Sequence, residues 1–152
     1  MKPVFKKMNA DSDYFAYQTL VEKAMHPLDV VSSDELKEMV DSGKIHSWYV
    51  FLENEITPIG WMSIMTECLD GKDGSNDGFH LLGVVVSDQH RGAGFGKYMV
   101  NKIISENPDA NITAAIQPSN IPSQKLFASL GFVNQGKIDD EVWDLWLLSR
   151  DS

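Results

Sequence analysis

Residues His80–Ile104 carry the strongest indication of the fold. It reads HLLGVVVS over residues 80–87, DQHRGAGFGK over 88–97 and YMVNKII over 98–104. The first part is an unbroken apolar run rich in valine, which is typical of a buried strand. Around the last part, Phe95, Met99 and Ile103 recur every four residues, which predicts a helix with one buried side. A buried strand, a glycine-rich turn and an amphipathic helix therefore follow one another.

Three glycines, Gly92, Gly94 and Gly96, occupy alternate positions at the junction between this strand and this helix. Glycine can take positive φ, and it lets a ligand approach bare backbone N–H groups. The first turn of a helix adds unpaired N–H donors and the positive end of the helix dipole. Arg91 and Lys97 flank the glycines and add positive charge. The segment that they bound, called the glycine loop below, is predicted to bind an anion such as phosphate.

Two common phosphate-binding patterns do not fit the glycine loop. The P-loop pattern G-x-x-x-x-G-K-[ST] fails because Arg91 occupies its first glycine position and Tyr98 its hydroxyl position. The dinucleotide pattern G-x-G-x-x-G fails because, counted from Gly92, its last position is Lys97. A third pattern, Q/R-x-x-G-x-G/A, is matched throughout by QHRGAG at residues 89–94. The alternative is a turn without a ligand, although such a turn does not need three glycines and a flanking arginine.

The third pattern resembles the coenzyme A loop of the GNAT N-acetyltransferase superfamily. The family form V-x-P-x-x-R-G-x-G-x-G is similar to VSDQHRGAGFG at residues 86–96, with Asp88 in place of the proline. The resemblance implies that acetyl-CoA is the co-substrate and that its diphosphate is held by Gln89, Arg91, Gly92, Ala93, Gly94, Phe95, Gly96 and Lys97. It also implies that a split in the central sheet offers backbone N–H groups to the thioester, here from Val84, Val85 and Val86.

A second segment, NIPSQKLFASLGF at residues 120–132, is similar to the other GNAT hallmark, N-x-x-[AS]-x-x-[LF]-Y-x-x-x-G-F. In the family this segment contacts the pantetheine arm and the thiol region, which implies such contacts for Asn120, Ser123 and Phe127. Many relatives carry tyrosine at the position of Phe127, and that hydroxyl is thought to protonate the departing thiolate. A positioned general acid typically contributes ~10²–10⁴ in rate, but a thiol with a pKa of about 8.5 is a fair leaving group without one. An enzyme with another proton source and a catalytically silent acetyl-CoA-binding module both stay open.

The reaction that the resemblance implies is direct attack of an amine on the thioester, which needs a general base near the start of the central strand. His80 is the first candidate because an imidazole with a pKa of about 6.5 suits a base near neutrality. The alternative for His80 is a surface histidine at a strand end. Glu67, at the end of the preceding strand, is the second candidate, with a solvated carboxylate as its alternative. In the last hairpin, Asp139, Asp140 and Glu141 either hold a cationic acceptor or form an ordinary polar tip.

The composition of the chain limits the classes of binding partner and the cellular compartment that can be expected. The 152 residues are 43% hydrophobic, which predicts one globular domain over residues 1–152. A formal net charge of −9 argues against nucleic-acid binding and suits either a cationic amine acceptor or plain solubility. No apolar run is long enough to predict a membrane-spanning helix, and the first residues are not expected to be a secretory signal. The single cysteine, Cys68, favours a reducing, cytoplasmic setting. The polar loop 68–78 lacks EF-hand spacing, so no metal is expected.

Two tryptophans in the last predicted strand, Trp143 and Trp146, are three residues apart. Side chains at that spacing face opposite sides of a strand. Core packing or a homodimer contact is therefore favoured for them over a shared pocket.

The whole chain predicts the order β-α-α-β-β-β-α-β-α-β-β, a mixed α/β arrangement. In the GNAT fold this order gives a single, mostly antiparallel mixed sheet of about six to seven strands flanked by helices. The predicted strands are 3–8, 47–53, 59–67, 80–87, 111–117, 132–138 and 142–148. The predicted helices are Tyr14–Met25, a second helix from Ser32 or Ser33 to Gly43, one after the glycine loop, and Ile121–Leu130.

Overall fold

The computed structural model describes residues 2–9, 14–21, 32–67, 77–137 and 143–150. In these ranges the predicted order of elements is confirmed. The strands are β1 (Pro3–Lys7), β2 (Ile45–Leu52), β3 (Gly60–Glu67), β4 (Asp77–Val86), β5 (Ile112–Ile116), β6 (Val133–Lys137) and β7 (Asp144–Leu148). The helices are α1 (Phe15–Leu20), α2 (Ser33–Asp41), α3 (Phe95–Glu106) and α4 (Ile121–Ser129), with a short 3-10 turn at Asp88–His90 before α3.

The strands form one hydrogen-bonded sheet in the order β1-β2-β3-β4-β5-β7-β6. β1 pairs antiparallel with β2, and β7 pairs antiparallel with both β5 and β6. β4 and β5 are parallel, and their register runs from Phe79 opposite Ile112 to Leu81 opposite Ala114. The predicted mixed sheet with helices is therefore confirmed.

The chain divides into two compact units, and the first consists of Met1–Ile64 and Gly83–Gly96. Its largest buried side chains include Tyr17 and Trp61, whose rings meet edge to face with centroids 5.2 Å apart. α2 begins where the sequence predicts, because the Ser32 hydroxyl accepts a hydrogen bond from the Glu35 N–H at 3.2 Å. Such a cap satisfies one of the N–H groups that the first helical turn leaves unpaired.

The second unit consists of Met65–Leu82 and Lys97–Ser152. α3 buries Met99 and Ile103 of the four-residue spacing, together with Val100, whereas Phe95 at its start is half-buried. In β5, Thr113 is fully buried, as are its neighbours Ile112 and Ala114. This strand is covered on both sides, and a strand in that position no longer needs to alternate.

The predicted start of β4 also needs correction. β4 begins at Asp77, so residues 77 and 78, predicted to end a polar loop, belong to the strand and His80 lies inside it. The predicted end of the first helix at Met25, the loop cysteine Cys68, and Asp139, Asp140 and Glu141 lie outside the described residues. The single domain over residues 1–152 stays a prediction. Across the described ranges, each helix is too short or too polar to cross a lipid bilayer.

Candidate active site

The glycine loop has the backbone that an anion site requires. Gly92 and Gly94 have φ of +81° and +87°, a region that other residues adopt only with strain. A Cβ atom built on either glycine would meet no described atom within 4 Å, so the space beside the loop backbone is open. α3 follows at once, beginning at Phe95, with Gly96 in its first turn. The backbone at this helix start can therefore be approached closely by a ligand.

The turn before the glycine loop is held by five contacts. The Ser87 N–H donates to the Ile59 carbonyl at 2.7 Å, which fixes the end of β4. The Ser87 hydroxyl and the His90 ring nitrogen Nδ1 are 2.7 Å apart, and the His90 ring meets Phe95 edge to face. Arg91 donates through Nε to the Val86 carbonyl at 3.2 Å, and its Nη1 is 3.2 Å from the Asp88 carboxylate. These contacts fix the turn from which the loop starts. Gln89 and Lys97, which are also predicted to bind the diphosphate, are exposed.

In the second unit, Asn120 caps α4. Its side-chain oxygen Oδ1 accepts a hydrogen bond from the Ser123 N–H at 3.3 Å. Phe127 lies on the buried side of α4, and only 5% of the residue is exposed. Its ring meets Phe132 edge to face, with centroids 4.9 Å apart and planes at 87°. This favourable aromatic geometry gives Phe127 a packing role whether or not it also borders a ligand.

His80 is buried, and the alternative of a surface histidine is wrong. The side chain is 4% exposed, and its Nδ1 is 2.9 Å from the Thr113 hydroxyl on the neighbouring strand. The parallel register places these two residues directly beside each other. Burial lowers the pKa of His80 from 6.5 to about 4, because the interior disfavours the charged ring. At neutral pH the imidazole is therefore neutral.

The low pKa of His80 predicts a loss of stability in acid. Between pH 6.5 and 4 the unfolded chain binds a proton at His80 and the folded chain does not, so folding weakens as the pH falls. The full effect of this one group is about 3 kcal/mol. In urea unfolding at pH 7.5 and pH 5.0, the His80→Gln variant should show a pH dependence smaller than the wild type by about 2 kcal/mol. The same pH dependence in both proteins would contradict the burial of a neutral ring.

The comparisons with known proteins agree with this arrangement. The model of the acetyltransferase (GNAT) family matches residues 12–132. The chain belongs to the GNAT acetyltransferase family. Among solved structures, the chain is similar to NAA60 of Arabidopsis thaliana in complex with acetyl-CoA. The identity is 16%, with 96% of this chain and 97% of that chain covered and a TM-score of 0.71. The same plant protein in complex with a bisubstrate analogue gives 16% identity, 96% coverage of both chains and a TM-score of 0.72.

A bacterial structure, that of smu.2055 from Streptococcus mutans UA159, is similar over 97% of this chain and 99% of that chain. Its TM-score is 0.76 at 16% identity. No curated protein matches the chain significantly by sequence. At these identities the solved structures support the shared GNAT fold.

For the other site residues predicted in this GNAT chain, the structure gives the strand position but few side-chain contacts. Glu67 is the last residue of β3, and its side chain lies outside the described part of the chain. The end of β4 is formed by Val84, Val85 and Val86. The register of β4 with β5 runs from Phe79 to Leu81 and does not include these three residues. Among the described side chains, no group of three or more His, Cys, Asp and Glu residues could hold a metal ion. Trp146 is buried within β7, in agreement with core packing, and a homodimer stays a prediction.

Sequence reasoning missed two polar contacts of this GNAT chain. Thr113, the partner of His80, was not singled out from the sequence, and its neighbours in the chain carry no signal of a buried hydrogen bond. Ser47 and Ser63, both fully buried, share a hydrogen bond of 2.8 Å between β2 and β3. A serine among large apolar residues in each strand was the available signal, because a buried hydroxyl needs a partner.

Proposed function

We propose that the chain is an acetyl-CoA-dependent N-acetyltransferase, which transfers an acetyl group to a primary amine of a small molecule or a peptide. The observation that carries the proposal is the glycine loop. Two glycines at positive φ leave open space beside the backbone, directly before a helix of 12 residues. Such a helix start favours the diphosphate of coenzyme A through its N–H groups and its dipole.

Membership of the GNAT acetyltransferase family supports the reaction class. The Arabidopsis thaliana neighbour in complex with acetyl-CoA supports the donor, and its complex with a bisubstrate analogue supports an acceptor bound beside the donor. The formal net charge of −9 would favour a cationic acceptor over an anionic one. The acyl chain length and the acceptor within the amine class are left to experiment.

The proposed reaction is a direct displacement. The amine nitrogen attacks the thioester carbonyl, a C–N bond forms, and the C–S bond breaks to release coenzyme A as thiolate. Backbone N–H groups of Val84, Val85 and Val86 are proposed to stabilise the oxyanion. One proton leaves the amine for a base or water, and one reaches the thiolate from solvent, since Phe127 has none to donate. Asn120 and Ser123 are proposed to contact the pantetheine arm.

His80 and Glu67 remain the proposed general bases. For His80 the pKa of about 4 leaves the ring free to accept a proton at neutral pH but makes it a weak base. We expect His80→Ala, and the more conservative His80→Gln, to lower kcat with little change in the dissociation constant of acetyl-CoA. A base also contributes an ionisation to the pH profile of kcat/KM, whereas a purely structural residue does not. Wild-type turnover and an unchanged profile in both variants would exclude His80 from the role.

A catalytically silent acetyl-CoA-binding module is the second candidate. The observation that favours it is Phe127, a buried ring packed on Phe132 at the position where many relatives carry tyrosine. The two functions differ in turnover and not in binding of the donor.

Thiol release from acetyl-CoA in the presence of amines separates the two functions. The panel comprises polyamines, aminoglycosides, amino acids and peptides with free N-termini, with calorimetric titration of acetyl-CoA on the same preparation. Thiol release with one amine class, matched by the acetylated product in mass spectrometry, would establish the enzyme and its acceptor. Tight binding without release on every amine would favour the silent module. Absence of acetyl-CoA binding would refute both.

A further inference from the structure

Asp88 lies three residues before Arg91, where the glycine loop begins, and it is an acidic difference from the family form. The family form has proline at this position, and the backbone still has the shape that proline would impose. Ser87, the preceding residue, is extended with φ −60° and ψ 151°, which is the conformation favoured before a proline. Asp88 then opens the 3-10 turn as its first residue. A turn whose preceding residue suits a proline therefore carries a carboxylate in this chain.

That charge acts on Arg91, the residue next to Gly92. The Asp88 carboxylate oxygen Oδ1 is 3.2 Å from Nη1 of Arg91, and Nε of Arg91 donates to the Val86 carbonyl at 3.2 Å. Together these contacts turn the guanidinium back toward the end of β4. Both side chains remain accessible, with 54% of Arg91 and 88% of Asp88 exposed.

We propose that Asp88 sets the affinity of the glycine loop for the diphosphate of coenzyme A by engaging Arg91 before the ligand arrives. The inference rests on the proposed function, because it takes the diphosphate as the ligand of this loop. A guanidinium pairs with either a carboxylate or a phosphate through the same N–H groups. The incoming diphosphate must therefore replace Asp88 as the partner of Arg91, and the negative charge of Asp88 stays beside it.

The exposed position of the pair fits an exchange of partners. An ion pair between exposed side chains is weak, because water and salt screen it. A ligand can therefore displace Asp88, while the carboxylate still lowers the net attraction of the loop. The effect on binding should be moderate, on the order of three- to tenfold, and should depend on ionic strength.

The test is calorimetric titration of coenzyme A into the full chain and four variants. Asp88→Asn removes the charge with little change of shape, and Asp88→Pro removes it while suiting the backbone. Arg91→Gln and the double variant with Asp88→Asn complete a thermodynamic cycle. Glu38→Gln, at an exposed carboxylate in α2, is the matched control for net charge.

We expect Asp88→Asn and Asp88→Pro to tighten binding by about three- to tenfold at 20 mM salt, and by less than twofold at 500 mM salt. In the Arg91→Gln background the gain from Asp88→Asn should fall below about twofold, which is the direct repulsion between the carboxylate and the diphosphate. Glu38→Gln should bind like the wild type. Unchanged or weaker binding in Asp88→Asn would overturn the inference, as would a gain that persists in full without Arg91 or appears only with proline. If the wild type binds no coenzyme A, the proposed function fails too. Binding by the wild type without a gain in Asp88→Asn refutes this inference alone.

Discussion

Replacing Gly94 by glutamate is expected to weaken acetyl-CoA binding by at least about 10²-fold while leaving the fold intact. Gly94 has φ +87° and open space beside it, so the new side chain would occupy the volume proposed for the diphosphate. Two like charges 4 Å apart repel by about 4 kcal/mol at an effective dielectric constant of 20. Each 1.4 kcal/mol corresponds to a tenfold change in affinity. Calorimetric titration of acetyl-CoA, with circular dichroism to verify folding, measures the effect.

The control for this variant is Gly43→Glu. Gly43 follows α2, has φ +78°, and a Cβ atom there would also meet no described atom within 4 Å. The two variants therefore share the added charge and the backbone strain, and they differ in position relative to the glycine loop. Gly43→Glu should bind acetyl-CoA like the wild type. Equal affinities for Gly94→Glu and the wild type would refute the assignment of the loop.

Replacing Gly78 by alanine is expected to destabilise the fold by about 3–5 kcal/mol, from backbone strain and loss of hydrogen bonding. A Cβ atom on Gly78 would overlap the carbonyl oxygen of Asn111, at the start of the parallel pair β4–β5. That carbonyl accepts the Phe79 N–H at 2.9 Å, so the backbone cannot move aside without losing a hydrogen bond. Gly78 also has φ +135°, which a side chain rarely permits. Urea unfolding at pH 7.5 measures the loss.

Gly136→Ala separates the overlap from the backbone strain. Gly136 lies in β6 with φ +98°, and no described atom would contact its added Cβ within 4 Å. Its expected cost is that of positive φ alone, roughly 1–2 kcal/mol. A loss in Gly78→Ala no larger than that in Gly136→Ala would show that β4 and β5 are not in close contact at Asn111.

Much of the candidate site could be predicted from sequence because it depends on local rules. Gly92 and Gly94 have the positive φ that the alternate glycines predict, and α3 starts where the four-residue spacing begins. Asn120 caps α4 by accepting a hydrogen bond from the N–H of Ser123, three residues later in the chain. Each feature is decided by residues near one another in the chain, so periodicity and capping rules are sufficient to locate it.

The behaviour of His80 could not be predicted in the same way. The sequence placed it at a strand end, where an imidazole would keep its usual pKa, and the structure places it inside β4 with a pKa of about 4. The change follows from three extra strand residues before it and from burial of the neighbouring strand, including Thr113. The residues around His80 in the sequence indicate neither the longer strand nor the burial of the neighbouring strand.

Sequence patterns were sufficient to predict the order of elements, the glycine loop and the resemblance to the GNAT family, since these depend on spacing within short segments. The contact of His80 with Thr113, 33 positions away, and that of Gly78 with Asn111 required the folded chain. The contact of Asp88 with Arg91 is local, but it too required the structure, because side-chain direction depends on the turn between the two residues. Contacts between distant segments follow from strand register, and register is set by how whole faces pack together and not by any one segment.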